Sequence, residues 1–181
     1  AEPVTTLAAD VGPQTRPGGE TPGLLFAWSE SGALWISENG GLSWRVAEYQ
    51  GQPLRATAFT MSPAFGGDLW AANQTALLAS ADAGHTWRVG ALLPGGEGVH
   101  GTVSFLWADP RVMESLYAIL QDGGVYRTDD AGETWMFLGV PGGEAKAVVV
   151  DPDSRSRLYA ATDDGVWVRA VMPVIPTPAP S

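Results

Sequence analysis

An eight-residue segment that occurs three times constrains this chain more than any other feature. Ser37-Glu38-Asn39-Gly40-Gly41-Leu42-Ser43-Trp44, Ser80-Ala81-Asp82-Ala83-Gly84-His85-Thr86-Trp87 and Thr128-Asp129-Asp130-Ala131-Gly132-Glu133-Thr134-Trp135 share a hydroxyl, an Asn or Asp, a glycine, a second hydroxyl and a tryptophan. Trp44, Trp87 and Trp135 follow one another at 43 and 48 residues. Self-similarity at roughly 40 to 50 residues marks a repeat architecture whose units bury their faces on one another. Each copy reads as a hairpin turn. The Asn or Asp side chain accepts from backbone N–H groups two residues on, and the glycine supplies positive φ. The tryptophan then opens the next strand with its ring folded beneath the turn.

The flanking strands repeat as well. Leu25-Phe26-Ala27-Trp28, Leu69-Trp70-Ala71-Ala72, Leu116-Tyr117-Ala118-Ile119 and Leu158-Tyr159-Ala160-Ala161 are four copies of one strand. Before them lie Thr6-Leu7-Ala8-Ala9, Thr57-Ala58-Phe59-Thr60, Ser104-Phe105-Leu106-Trp107 and Ala147-Val148-Val149-Val150, followed by Pro13, Pro63, Pro110 and Pro152. A third strand comes from Leu34-Trp35-Ile36, Leu77-Leu78-Ala79, Val125-Tyr126-Arg127 and Val166-Trp167-Val168, and a fourth from the residues after each turn tryptophan. Four short antiparallel strands per unit predict an all-β, four-bladed β-propeller, a single domain over residues 1–170 with blades near 4–50, 54–93, 99–140 and 144–170. Ala8, Ala58, Ser104 and Ala147 are small enough to let inner strands approach one axis. Two chains pairing into an eight-bladed ring is the alternative.

These turns and strands resemble the Asp-box, or bacterial-neuraminidase-repeat, propellers over roughly residues 4 to 170. That group includes sialidases, sortilin-type receptors, xyloglucanases and photosystem II assembly factors. The resemblance implies the fold and says little of activity, because in these families the motif lies on the rim, away from the substrate pocket. The Phe/Tyr-Arg-Ile-Pro element of a sialidase is absent. Tyr117, Tyr126 and Tyr159 fill repeat positions held elsewhere by Trp or Phe, and read as packing. Asp10, Asp109 and Asp151 end inner strands at comparable places, and read as turn caps rather than a glycosidase pair. No catalytic residue, metal site or cofactor is expected, and the hydrolytic alternative is a degenerate glycosidase.

The fourth unit departs from the pattern. After Val166-Trp167-Val168-Arg169 no turn motif follows, and the chain continues Ala170-Val171-Met172-Pro173-Val174-Ile175-Pro176. The last blade therefore lacks its own regular outer strand, and natural sheets seldom leave such an edge uncovered. Residues 171–181, rich in proline, suit an extended tail or donor strand at a sheet margin. Val166, Trp167, Val168, Val171, Met172, Val174 and Ile175 form the candidate assembly interface, and strand addition between copies would build a filament. Trp28 and Trp107 replace smaller residues of their repeats and are candidates for an exposed or intersubunit aromatic.

Twenty acidic against ten basic residues, a formal charge of -10, repel nucleic acid and anionic lipid. No apolar run approaches a membrane span, and without cysteine neither disulfides nor thiolate metal sites are available. The start Ala1-Glu2-Pro3, without Met, fits an exported, extracellular or cell-surface protein. The expected function is a non-enzymatic structural or adhesive module that assembles with its own copies as an oligomer or filament. The alternative is a monomeric module that binds a glycan or protein on the face carrying the interblade loops.

Overall fold

Four antiparallel sheets follow one another along the chain, each a meander of strands joined by short turns. The computed structural model describes residues 4–9, 23–62, 68–74, 76–92, 101–110, 112, 114–139, 142–151 and 157–171. Sheet one holds β1 (Val4–Ala9), β2 (Leu25–Ser29), β3 (Leu34–Ser37) and β4 (Arg45–Val46) in that order. A two-stranded hairpin, β5 (Glu48–Tyr49) and β6 (Gln52–Pro53), separates it from sheet two. Sheet two holds β7 (Ala58–Met61), β8 (Leu69–Ala72), β9 (Ala76–Ser80) and β10 (Arg88–Leu92). Sheet three holds β11 (Val103–Ala108), β12 (Leu116–Leu120), β13 (Val125–Thr128) and β14 (Met136–Gly139). Sheet four has three strands among the described residues, β15 (Ala145–Val150), β16 (Arg157–Thr162) and β17 (Gly165–Ala170).

The repeat seen in sequence is also a repeat of register. In the second strand of sheets two to four the recurring Leu and Ala point toward the preceding sheet, and in sheets one to three the intervening residues point toward the following one. Leu69 and Ala71 thus pack with Phe26, Leu34 and Ile36 of sheet one, while Trp70 and Leu77 pack with Val103 and Leu116 of sheet three. Leu158 and Ala160 close on Tyr117 and Ile119 in the same way. Because both faces of an inner sheet are covered, β8, β9 and β12 are buried at every position and read as continuous apolar runs rather than alternating ones. The innermost strands of sheets one, three and four also share a register shift at their start, between Val4 and Thr6, Val103 and Phe105, and Ala145 and Ala147. A bulge there bends each strand at the same place.

The three core clusters join sheets one and two, two and three, and three and four. Among the described residues no cluster joins sheet four to sheet one, so the sheets form an open row and not the closed ring of four expected from sequence. Trp28 and Trp107, candidates for an exposed or intersubunit aromatic, are half-buried within the chain. The Trp28 indole donates to Ala56 O at 3.3 Å, and the Trp107 ring lies 5.7 Å from that of Tyr117.

Candidate functional site

The sequence-predicted turn residues come together as three copies of one hydrogen-bonded knot. At the second turn the Ser80 hydroxyl donates to Asp82 Oδ1 at 2.8 Å and accepts the Gly84 N–H at 2.8 Å. Asp82 also accepts the Thr86 N–H at 2.8 Å and the Thr86 hydroxyl at 2.6 Å. Thr128, Asp130, Gly132 and Thr134 repeat the arrangement in sheet three. Sheet one reaches the same geometry with an amide: Ser43 N–H donates to Asn39 Oδ1, and Asn39 Nδ2 donates to Ser43 Oγ, at 2.9 and 2.8 Å. The turn glycines have φ of +91° (Gly41), +77° (Gly84) and +97° (Gly132), and each sits over the ring of its tryptophan. The knots also clamp sheets together. Arg45 of sheet one donates to Ala83 O and Gly84 O of the next knot while pairing with Glu38 at 3.0 Å, and His85 lies 2.8 Å from the same Glu38 oxygen.

These are structural staples, and they titrate. Partial burial pushes the Asp82 carboxyl up, but hydrogen bonds from the Thr86 side chain and backbone and from Ser80, with the nearby His85, outweigh it and hold the group at about 2 against an ordinary 3.8. Asp130 is lowered by the equivalent bonds from Thr128 and Thr134, again against desolvation. A folded value below the unfolded one means that the contribution is complete above the unfolded value and is lost as pH falls through the folded one. Asp82→Asn, which imitates the Asn39 knot, should leave the urea midpoint near pH 6 almost unchanged and flatten its decline between about pH 4 and pH 2. The effect is modest because Asp82 faces solvent.

The proposed assembly residues divide between two environments. Val166 and Val168 are exposed, at 72% and 51%. Trp167 turns the other way and packs with the cluster between sheets three and four, and Val171 is buried in that cluster at 5%. Met172, Val174 and Ile175 lie outside the described residues. The third strand of sheet four, β17, has no further strand beside it among the described residues. Asp109 and Asp151 serve turns at the knot end of the sheets, donating their N–H groups to Ser115 O and Arg157 O at 2.9 Å. Asp10 lies outside the described residues.

At the opposite end, between sheets one and two, is a cleft of about 600 Å³ that sequence reasoning did not single out. Its walls are the β2–β3 turn with Ser31, the β5–β6 hairpin with Tyr49, Gln50 and Gln52, the link from Leu54 to Thr57, and Asn73 and Gln74 after β8. The hairpin closes through Gln50 and Gly51, both at positive φ (53° and 73°), a two-residue turn matched to strand twist. The link is stitched down by Ala56 N–H to Gly32 O at 2.8 Å and Thr57 N–H to Ala72 O at 2.7 Å. A side chain at Gly32 would stand 2.6 Å from Ala56 O, so that turn must be glycine for the link to pass. Arg55 donates to the Ser31 hydroxyl and to Ser31 O, the latter at 3.2 Å, and Gln50 donates to the Tyr49 hydroxyl at 3.0 Å. The lining mixes amide, hydroxyl, phenol and guanidinium groups with the apolar Pro53, Leu54 and Ala56, and no carboxylate side chain contributes to it. In a chain of net charge -10 this is a site for hydrogen-bonding partners that are neutral or anionic. Among the described residues no group of His, Asp and Glu could hold a metal ion.

No known protein-family description matches the chain, and a search of curated proteins found no match. Solved structures do match. An ancestral GH74 enzyme superposes on 92% of this chain with a TM-score of 0.66 at 17% identity, the match spanning 22% of the enzyme. YCF48 from Cyanidioschyzon merolae superposes on 92% with a TM-score of 0.62 at 16% identity, and a structure of YCF48 bound to D1 peptide on 77% with 0.55 at 19%. The chain spans 50% and 44% of those two YCF48 chains, and so about half the length of the YCF48 structures it resembles. At these identities the likeness concerns the fold, and together with the four antiparallel sheets it makes this chain an all-β protein of propeller architecture.

Proposed function

We propose that this chain is a non-catalytic propeller module of the Asp-box kind that binds an extended segment of another protein in the cleft between sheets one and two. The observation that carries the reading is the cleft itself. Its volume falls within the roughly 300 to 1,000 Å³ of small-ligand sites, and its walls present donors and acceptors rather than a pair of carboxylates. It lies on the face of the interblade link, away from the knots. The YCF48 structure bound to a peptide supports the choice of a protein partner.

Peptide and glycan arrays probed with the purified chain test this. Extended peptides should be retained, and Arg55→Ala should weaken their binding about 10- to 100-fold, as expected when a charge-assisted hydrogen bond is lost. The thermal midpoint checks that the variant remains folded. Glycan-only retention, or unchanged peptide affinity in Arg55→Ala, would count against the reading. The likeness to GH74 enzymes favours a second reading, a degenerate glycosidase. Hydrolysis of aryl glycosides by the native chain, abolished by Asp109→Asn or Asp151→Asn, would be its signature.

A further inference from the structure

Each end of the row of sheets carries a face that the interior of the row buries against a neighbour, exposed on sheet four and buried or half-buried on sheet one. Between sheets three and four, Tyr117 pairs across strands with Arg127 and Ile119 with Val125; Tyr117, Ile119 and Val125 lie in the cluster shared with sheet four, and none of the four residues is more than 7% exposed. The same register in sheet four pairs Tyr159 with Val168 and Ala161 with Val166. On that face Val166 and Val168 stand open at 72% and 51%, and Val149, the neighbour of Tyr159 on β15, at 48%. None of these residues is charged, and among the described residues of β16 and β17 the charge on that face is Arg157, at its rim.

Sheet one shows the complementary face. Ala27 pairs with Trp35 as Ala160 pairs with Trp167, and Ala160 and Trp167 are what sheet four lays against sheet three. Leu25 and Trp35 are half-buried and Ala27 and Ser29 are buried, at 5% and 2%, with no core cluster on their side among the described residues. The repeat thus supplies three intact examples of one kind of contact, following face to preceding face, and leaves one half of a fourth at each end.

We propose that two copies of this chain close on each other, the following face of sheet four in each against the preceding face of sheet one in the other, to give a single ring of eight sheets. Each contact is heterologous, and a two-fold axis makes two identical contacts that close, so no face remains to propagate a filament. A second copy is the occupant the chain's own geometry specifies, because the matching face is already present on it. The superposition is compatible with this: the row of sheets follows about half of a YCF48 chain, as part of a larger propeller would. The contact runs face to face and does not use the β17 edge. It does not depend on the cleft.

Light scattering of the eluting full chain should give twice the 19.0 kDa of one copy. Val166→Asp with Val168→Asp on sheet four, and Trp35→Asp on sheet one, should each halve the mass with an unchanged far-ultraviolet circular dichroism spectrum. Val166 and Val168 are exposed and Trp35 is half-buried, so the spectrum checks that each variant, Trp35→Asp above all, is folded before its mass is read. Mixing the two variants restores one intact contact, sheet four of the Trp35→Asp chain on sheet one of the other, and the mixture should elute as a pair. A native monomer at the highest soluble concentration overturns the proposal, whether the ends close on themselves or on another segment. So does a mass above two copies, a Trp35→Asp chain that stays dimeric, or a mixture that stays monomeric.

Discussion

Replacing Gly132 by alanine lowers the thermal unfolding midpoint by roughly 5 to 15 °C. The glycine sits at φ +97°, where an L side chain is strained, and its Cβ would lie 2.4 Å from Leu77 Cδ2 and 3.6 Å from the Trp135 ring. The backbone strain amounts to about 1 to 3 kcal/mol. The Leu77 methyl can shift, but only within the cluster between sheets two and three, which adds crowding of about 1 to 3 kcal/mol. For a domain of this size each kcal/mol moves the midpoint by roughly 2 to 4 °C. Gly142 is the control, because it has no positive φ and an added methyl would meet nothing within 4 Å. Gly142→Ala should leave the midpoint unchanged or raise it slightly. A Gly132→Ala midpoint within about 2 °C of the native chain would mean that the knot does not brace the sheet beneath it.

The knots were legible because their chemistry is local. A hydroxyl, a carboxylate or amide, a glycine and a second hydroxyl within one turn mark the knot, although Asn39, Asp82 and Asp130 accept the N–H four residues on and not two as expected. The sheets were legible because the three inner strands repeat their patterns four times and the outer strand three times. The cleft was not, since Ser31, Arg55 and Asn73 meet only after the link from Leu54 to Thr57 folds back over the β2–β3 turn. The available signal was Gln50-Gly51, a two-residue turn between short polar flanks, but Pro53 and the brevity of those flanks made them look like the end of a fourth strand. Closure was illegible for a different reason. A repeat counts units, whereas curvature depends on how the side chains of one sheet wedge against the next. Trp28 and Trp107 show this. As large residues in place of small ones they looked like surface aromatics, yet Trp28 bonds to the link at Ala56 and Trp107 packs on Tyr117 beside the cluster between sheets three and four.

Tyr117 and Tyr159 occupy the same position in successive sheets, and truncating them should give very different losses. Tyr117 is 1% exposed, packs against Trp107 at 5.7 Å and lies 5.6 Å from the guanidinium carbon of Arg127. Arg127 is itself 7% exposed and paired with Asp129 at 2.8 Å, so the ring shields a buried cation as well as filling the interface. Tyr117→Ala should therefore destabilise by about 3 to 5 kcal/mol, at the level of a large aromatic removed from a core. Tyr159 has Val168 where Tyr117 has Arg127, and among the described residues no fifth sheet covers it within the chain. Its truncation should cost no more than roughly 1 to 2 kcal/mol when copies are held apart, since only the area it already buries is lost. Urea unfolding in the Trp35→Asp background makes that comparison. Equal losses at the two positions there would mean that the faces of sheets three and four are covered alike within one chain, and the asymmetry on which ring closure by a second copy rests would disappear.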